Sequence, residues 1–282
     1  MKRKCKLLCT LIAAALLLGG CGKSTDASSS ANSGISAPAQ NNEAVQSAPE
    51  SGETSEAAPV PAKDDEVIVW SDPIVEQLFR RAFDREEGDI WRSEMETVTK
   101  FTLGIDGPNR DEYRININDH VESLHVSVGS FSLEDLKYCV NLTKIKVISL
   151  EMKNIDFLSD MNSLKEVVLM QDQLTDISPL RGKSELELLW IGANNISDLS
   201  PISGLDNLKS LNVAKNQISD ITPLADLKQL EELLLGYNEE IEDYSPLYGL
   251  QKLKSLNANG NLTREEKDEL QSNLPFCQVI CL

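Results

Sequence analysis

The sequence predicts an α/β solenoid: a parallel concave sheet of about eight short strands, a thin convex side of turns and 3₁₀ segments, a helical N-terminal cap and a helix-strand C-terminal cap. Three observations predict it. Leu164, Leu186, Leu208 and Leu230 recur every 22 residues, and Leu253 follows after 23 because one extra residue lies within YNEEIED, after Asn238. Each leucine opens the same phrase, clearest in NLKSLNVAKNQISDITPLADLK at 207–228, with apolar residues at Leu208, Leu211, Val213, Ile218, Ile221, Leu224 and Leu227. One copy cannot bury its own apolar edge, so copies must stack and share a core. On both sides of the repeats the pattern changes to that of capping helices.

The elements follow in order. Lys2, Arg3, Lys4 and Lys6 precede an apolar run from Leu7 to Leu18, then small residues and Cys21. This is an export signal, too short for a spanning helix. Its end, Leu18-Gly19-Gly20-Cys21, resembles the lipobox of bacterial lipoproteins. The resemblance implies removal of residues 1–20 and acylation of Cys21, with palmitate-type chains, on its sulfur and new amino group. Two or three chains give stable membrane attachment where one is marginal. Cleavage removes four positive residues and no acids, taking the formal charge from −18 to −22. Such a surface repels nucleic acid, which is excluded as a partner. Residues 21–65 are rich in Ser, Ala, Pro, Asn, Gln and Glu and nearly lack large apolar side chains, which predicts a disordered spacer with a reach of roughly 35 to 40 Å.

Residues 66–100 read as the N-terminal cap: a helix started by Ser71 or Asp72, with Ile74, Leu78 and Phe83 on its apolar face, then Trp91, Met95 and Val98 leading into a first strand at Phe101–Leu103. The stretch GIDGPNRDEYRININD, 104–119, reads as an irregular coil. A second strand is expected over Val121–Val126, in a degenerate coil that keeps Phe131, Leu133 and Leu136. Ile145 and Val147 open the next, with Met152, Ile155, Leu158 and Met161. The repeats occupy 101–261, and 262–282 form the C-terminal cap: a helix from Thr263 to about Asn273, stopped by Pro275, and a closing strand through Val279.

From Leu142 to Asn261 the phrase LxxLxLxxNxIxDIxPLxxL resembles the 22-residue bacterial leucine-rich repeat of internalins. The resemblance implies a leucine-rich repeat horseshoe in which each LxL segment is a parallel strand. The residue at the Asn position, Asp172, Asn194, Asn216, Asn238 and Asn261, should form a ladder that satisfies turn backbone groups of the neighbouring coil, with Leu150 breaking the pattern. In DISPL, DLSPI, DITPL and DYSPL the Ser or Thr is placed to cap a short turn, with Pro at its first position.

Chemistry is sparse. Cys5 and Cys9 leave with the signal and Cys21 carries lipid, so Cys139, Cys277 and Cys281 remain, expected as buried free thiols. A Cys277–Cys281 bridge is disfavoured because four strand residues separate the Cα atoms by roughly 13 Å. No zinc spacing, HExxH, GxSxG or phosphate loop occurs. His125 beside Ser123 and Ser127 superficially suggests a base and nucleophile, but serines are common at exposed strand positions. The acidic stretches IDGPNRDE and NEEIED lack the alternating oxygen spacing of a calcium loop. No catalytic residue, metal ligand or cofactor is assigned.

What remains is the concave surface. With the LxL residues inward, the central outward column reads Thr102, His125, Lys146, Val168, Trp190, Asn212, Leu234, Asn257. The column before it reads Lys100, Ser123, Lys144, Glu166, Leu188, Ser210, Glu232, Ser255. The column after it reads Gly104, Ser127, Ile148, Met170, Gly192, Ala214, Gly236, Asn259. Val168, Leu188, Trp190, Met170 and Ile148 should form one apolar patch, extended by Leu234 and Tyr237 and bordered by Lys144 and Lys146. The expectation is a binding module on the extracytoplasmic face of a bacterial cell membrane, held by the lipid on Cys21, whose concave face takes a protein ligand from host or envelope. The alternatives are a glycan- or peptide-capturing lipoprotein and, less favoured, an envelope hydrolase. The N-terminal cap, the spacer or a neighbouring chain could also cover the patch.

Overall fold

The computed structural model describes residues 65–106, 112–124, 131–260 and 262–281. It is a leucine-rich repeat solenoid built on a ten-stranded sheet. The strands are β1 (Lys100–Asp106), β2 (Glu112–Ile117), β3 (His120–Leu124), β4 (Lys144–Ile148), β5 (Glu166–Met170), β6 (Leu188–Trp190), β7 (Ser210–Asn212), β8 (Glu232–Leu234), β9 (Ser255–Ala258) and β10 (Gln278–Cys281), in the order β10-β9-β8-β7-β6-β5-β4-β1-β2-β3. Strands β1 and β4 to β10 run parallel to one another, while β2 pairs antiparallel with β1 and β3 antiparallel with β2 to form a meander at one edge.

That meander corrects two expectations. Residues 104–119 are not an irregular coil, since β1 and β2 pair from Phe101↔Ile117 to Asp106↔Glu112. Residues 120–124 are not a repeat strand, because β3 pairs only with β2 and β1 lies directly against β4, with Lys100↔Lys144 and Leu103↔Val147. The physical reason is period-two patterning. Ile115 and Ile117 enter the core while Arg114 faces solvent, and Val121 is 52% exposed. The turn from β2 to β3 is the two-residue Asn118-Asp119, with φ of +48° and +72°, a conformation these residue types tolerate and tight hairpins require.

The N-terminal helix, α1 (Pro73–Ala82), starts at Asp72, whose Oδ1 accepts from the amides of Ile74 (2.8 Å) and Val75 (3.3 Å). Its buried face is Val75, Leu78 and Phe79, with Ile74 and Phe83 only partly covered, so the helix is turned relative to the expected face. Asp72 Oδ2 accepts from Ser132 N at 2.7 Å, and buried Asp135 accepts from Ser71 N, Ser71 Oγ and Asp72 N, tying the cap to the first convex turn. A short helix α2 (Arg92–Met95) then delivers Met95 and Val98 to the core. At the other end α3 (Arg264–Asn273), capped by Thr263 with Glu266, packs Leu270 inward, and β10 closes the sheet on β9.

Each convex turn is a short 3₁₀ segment, as at Asp156–Leu158, Ser178–Leu180, Ser200–Ile202, Thr222–Leu224 and Ser245–Leu247. The Ser and Thr residues do not cap these turns as expected. They sit at the first 3₁₀ position, and the aspartate two residues earlier accepts their amide instead: Asp176, Asp198, Asp220 and Asp243 do so at 2.7 to 2.8 Å. Ser178, Ser200 and Ser245 return a hydroxyl bond to the same carboxylate.

Between strand and convex turn runs the side-chain ladder. Asn194 Oδ1 accepts from Asp172 N (3.0 Å) and Leu174 N (3.1 Å), and its Nδ2 donates to Leu169 O (2.9 Å) and Ile191 O (3.0 Å). Asn216 and Asn238 repeat the pattern one coil further on each time. Asn261 lies outside the described residues. The amide of Asn238 is instead accepted by Asn259 Oδ1 at 3.1 Å, so Asn259, expected on the concave face, is 2% exposed and turned into the ladder.

Candidate functional site

The concave columns are set by the strand registers. Thr102, Lys146, Val168, Trp190, Asn212, Leu234 and Asn257 are successive Cα partners, and the column ends on Ile280 of the closing strand. Beside it run Lys100, Lys144, Glu166, Leu188, Ser210, Glu232, Ser255 and Gln278. His125 and Ser127 fall outside the described residues, and Thr102 pairs directly with Lys146.

The five patch residues share adjacent strands. Ile148 pairs with Met170, Val168 with Trp190, and Leu188 is the neighbour of Glu166. Val168 is 7% exposed although it points away from the core cluster, while Ile148, Met170, Leu188 and Trp190 are half-buried. Leu234 is half-buried two strands beyond Trp190 and is separated from it by Asn212. Tyr237 is not on a strand. It occupies the turn after β8 with φ +64°, as Ser149, Gln171, Ala193 and Lys215 do in their own coils. Lys215 Nζ lies 5.4 Å from its ring centroid.

Trp190 is held from the side. Its Nε1–H donates to Ser210 Oγ at 2.9 Å, and that hydroxyl donates to Glu232 Oε2 at 2.8 Å, a relay across three strands. The indole edge is thereby satisfied and one ring orientation fixed, with apolar surface left facing outward. Sequence reasoning placed Ser210 and Glu232 in the neighbouring column without linking them to Trp190. The available signal was that a diagonal neighbour on the next strand lies within reach of a long aromatic side chain.

Beyond the tryptophan the surface changes from apolar to polar. Asn212 is 6% exposed and its Oδ1 accepts from Ala214 N at 3.1 Å, leaning across Gly192. A Cβ on Gly192 would lie 2.8 Å from that oxygen, and Asn257 crowds Gly236 in the same way. At the other border the two lysines differ. Lys144 is ion-paired with Glu166 of the next strand. Lys146 stands beside Val168, and burial, with Lys144 nearby, holds its ammonium below the ordinary lysine range.

Elsewhere the titratable groups are structural. Lys183 fills the core slot taken by Leu205, Leu227 and Leu250 in later coils. It is 1% exposed, with its ammonium donating to Ser159 O at 2.8 Å, and burial pushes its pKa down against the opposing pull of Asp160. Cys139 and Cys277 are buried free thiols and Cys281 is a half-buried one; burial raises Cys139 strongly and pushes Cys277 up to about 11. Among the described residues no group of three His, Cys, Asp or Glu side chains could hold a metal, and no helix is long and apolar enough to cross a membrane.

A family model described as Leucine Rich repeats (2 copies) matches residues 184–226, the region from the end of one convex turn into the Asn216 coil and its turn. No curated protein matches. Among solved structures the chain is similar to the internalin inlF of Listeria monocytogenes, with 21% identity and a TM-score of 0.58 over 74% of this chain and 55% of that one. An internalin C2 of the same species matches at 23% identity and a TM-score of 0.44, over 67% of this chain and 93% of its own. A leucine-rich repeat protein of Leptospira interrogans matches at 18% identity and a TM-score of 0.41, over 52% and 44%. The chain thus spans about half the length of inlF. At this identity the likeness establishes the fold.

Proposed function

We propose that this protein is an exported, lipid-anchored module that binds a partner protein on its concave face. The observation that carries the reading is the patch from Ile148 to Trp190: five apolar side chains on three adjacent strands, facing away from the core, with Trp190 oriented in advance by Ser210 and Glu232. Aromatic anchors of fixed geometry supply much of the energy at protein interfaces because little side-chain entropy remains to be lost. The parallel with internalins lends the reading a fold-level analogy and no more. The signal-like residues 1–20 and the lipobox-like Leu18-Gly19-Gly20-Cys21 support a position on the outer face of a bacterial membrane. Leu234 and Tyr237 offer a separate, smaller contact beyond Asn212, and Lys146, which makes no ion pair among the described residues, offers a cation at the opposite border.

One experiment tests both halves. Cells expressing the full chain are surface cross-linked, and the captured proteins are compared for wild type, Trp190→Ala, Met170→Glu and Cys21→Ser. The two concave variants should keep the wild-type circular dichroism and lose the specific partner by at least tenfold, whereas Cys21→Ser should leave the membrane fraction. A verified partner captured equally by wild type and both concave variants defeats the binding-face reading, and retention of Cys21→Ser in membranes defeats the anchor.

A further inference from the structure

The ladder contains one member of the wrong chemistry. Asn194, Asn216 and Asn238 each accept backbone amides through Oδ1 and donate through Nδ2 to two carbonyls, 25 and 3 residues back in sequence. Asp172 occupies the same position, fully buried, and its Oδ1 accepts from Leu150 N at 2.8 Å. Its Oδ2 stands where the others carry the amide nitrogen, and it has no partner. The carbonyls matching those the asparagines satisfy are Val147 O and Leu169 O. An ionised carboxylate would turn a second negative oxygen toward carbonyl lone pairs and could donate to neither.

We propose that Asp172 is carried in the folded protein as a neutral carboxylic acid, whose Oδ2–H donates to Val147 O or Leu169 O, and that losing this proton to solvent loosens the junction between the β4 and β5 coils. Neutral Asp172 reproduces the asparagine pattern of one accepting and one donating edge, and the anion cannot. The environment agrees: burial pushes the carboxyl up to about 7, opposed only by the backbone amides of Leu150, Met152 and Glu151. No charged side chain faces it among the described residues. The preceding coil offers that backbone, the following coil offers Asn194, and Glu151, Lys153 and Asp176 are exposed.

The sign of the linkage follows. The folded-state pKa lies above the unfolded value near 4, so the stability Asp172 contributes is complete below about pH 4, declines between there and about 7, and is gone above. Within that window each pH unit lowers the folding constant about tenfold through this one group. The test compares urea unfolding of the full-length wild type and Asp172→Asn from pH 5 to pH 8. All other titrations are shared, so the ratio of the two folding constants isolates Asp172, and it should rise in favour of the asparagine variant by roughly fifty- to a hundredfold across the range. Parallel profiles overturn the proposal. A second measurement, the Asp172 carboxyl carbon shift in folded protein, should titrate with a midpoint about three units above an ordinary aspartate. A midpoint in the ordinary range overturns it equally.

Discussion

The regular coils, Ile177 onward, and the N-terminal coils, Lys100 to Asp172, bury their cores equally well but satisfy their backbones differently. In the regular coils Asn194, Asn216, Asn238 and Asn259 link each turn to the next through buried amides. In the N-terminal coils the ladder falls to Asp172, with one oxygen unpaired, and then to Leu150, which has no polar side chain, while the sheet continues as an antiparallel meander. Burial alone therefore does not distinguish the halves. The difference lies in what an opened turn loses: several buried hydrogen bonds at once in one half, few in the other.

The largest expected effect follows from that contrast. Asn216→Leu should cost about 3 kcal/mol, because it strands the buried amide of Ile196, worth about 1 to 3 kcal/mol when left unpaired, and removes one of the two donors at Ile191 O and at Val213 O, which keep only Asn194 and Asn238. Asp172→Leu at pH 7, where the carboxyl is already about half ionised and its Oδ2–H bond correspondingly weakened, should cost less, about 1 to 2 kcal/mol, chiefly for the Leu150 amide left unpaired. Urea midpoints of the two variants measure both, and equal losses would break the comparison.

A smaller effect is expected on the concave side. In the N-terminal coils the third column carries Ile148 and Met170, but in the regular coils it carries Gly192 and Gly236, over which Asn212 and Asn257 lean. Gly192→Ala should cost about 1 kcal/mol through the 2.8 Å approach to Asn212 Oδ1, whose own bond to Ala214 N resists displacement. Combining it with Asn212→Ser should recover most of the loss in thermal denaturation. An additive double variant would place the strain in the backbone instead, where Ala214 O lies 3.1 Å from the added carbon.

The same contrast governs what could be read from sequence. The strand registers of the regular coils were legible, because a fixed period aligns the slots and the pairings Trp190↔Asn212↔Leu234 reproduce the aligned columns. The meander was not, because a search for the period forces His120–Leu124 into a repeat while the local signals, alternation in EYRINI and the Asn118-Asp119 turn, belong to a hairpin. The ladder role of Asn259 was missed because the last coil follows the extra residue and leads into a cap. Lys183 escaped notice because a long aliphatic stem can fill a leucine slot when its ammonium finds a carbonyl. Of the candidate face, the patch residues were legible, but the tie from Trp190 to Ser210 and Glu232 depends on rotamers that a one-dimensional pattern does not carry.

The smallest effect concerns charge. Along the strand entrances of the regular coils Glu187, Lys209, Glu231 and Lys254 alternate in sign, with Lys209 paired to Glu187 and Lys254 to Glu231. Each partner holds its neighbour's charged form: Lys209 is raised, first by its bond to Glu187, and Glu187 and Glu231 are lowered by the lysines beside them. All are solvent-exposed, so the attraction is screened and the loss of one lysine, as in Lys209→Ala, should leave the unfolding midpoint unchanged at physiological salt. Reversal is the sharper probe. Lys209→Glu would set three carboxylates on successive strands about 4.8 Å apart, which should lower the midpoint detectably in dilute buffer and lose that effect in molar salt, where the screening length falls to about 3 Å. The N-terminal meander offers the control. Lys100 pairs with Asp119 and stands beside Lys144, outside this alternating row and not between two carboxylates, so Lys100→Glu should show the weaker salt dependence, and equal responses would mean that the alternating row acts as separate pairs.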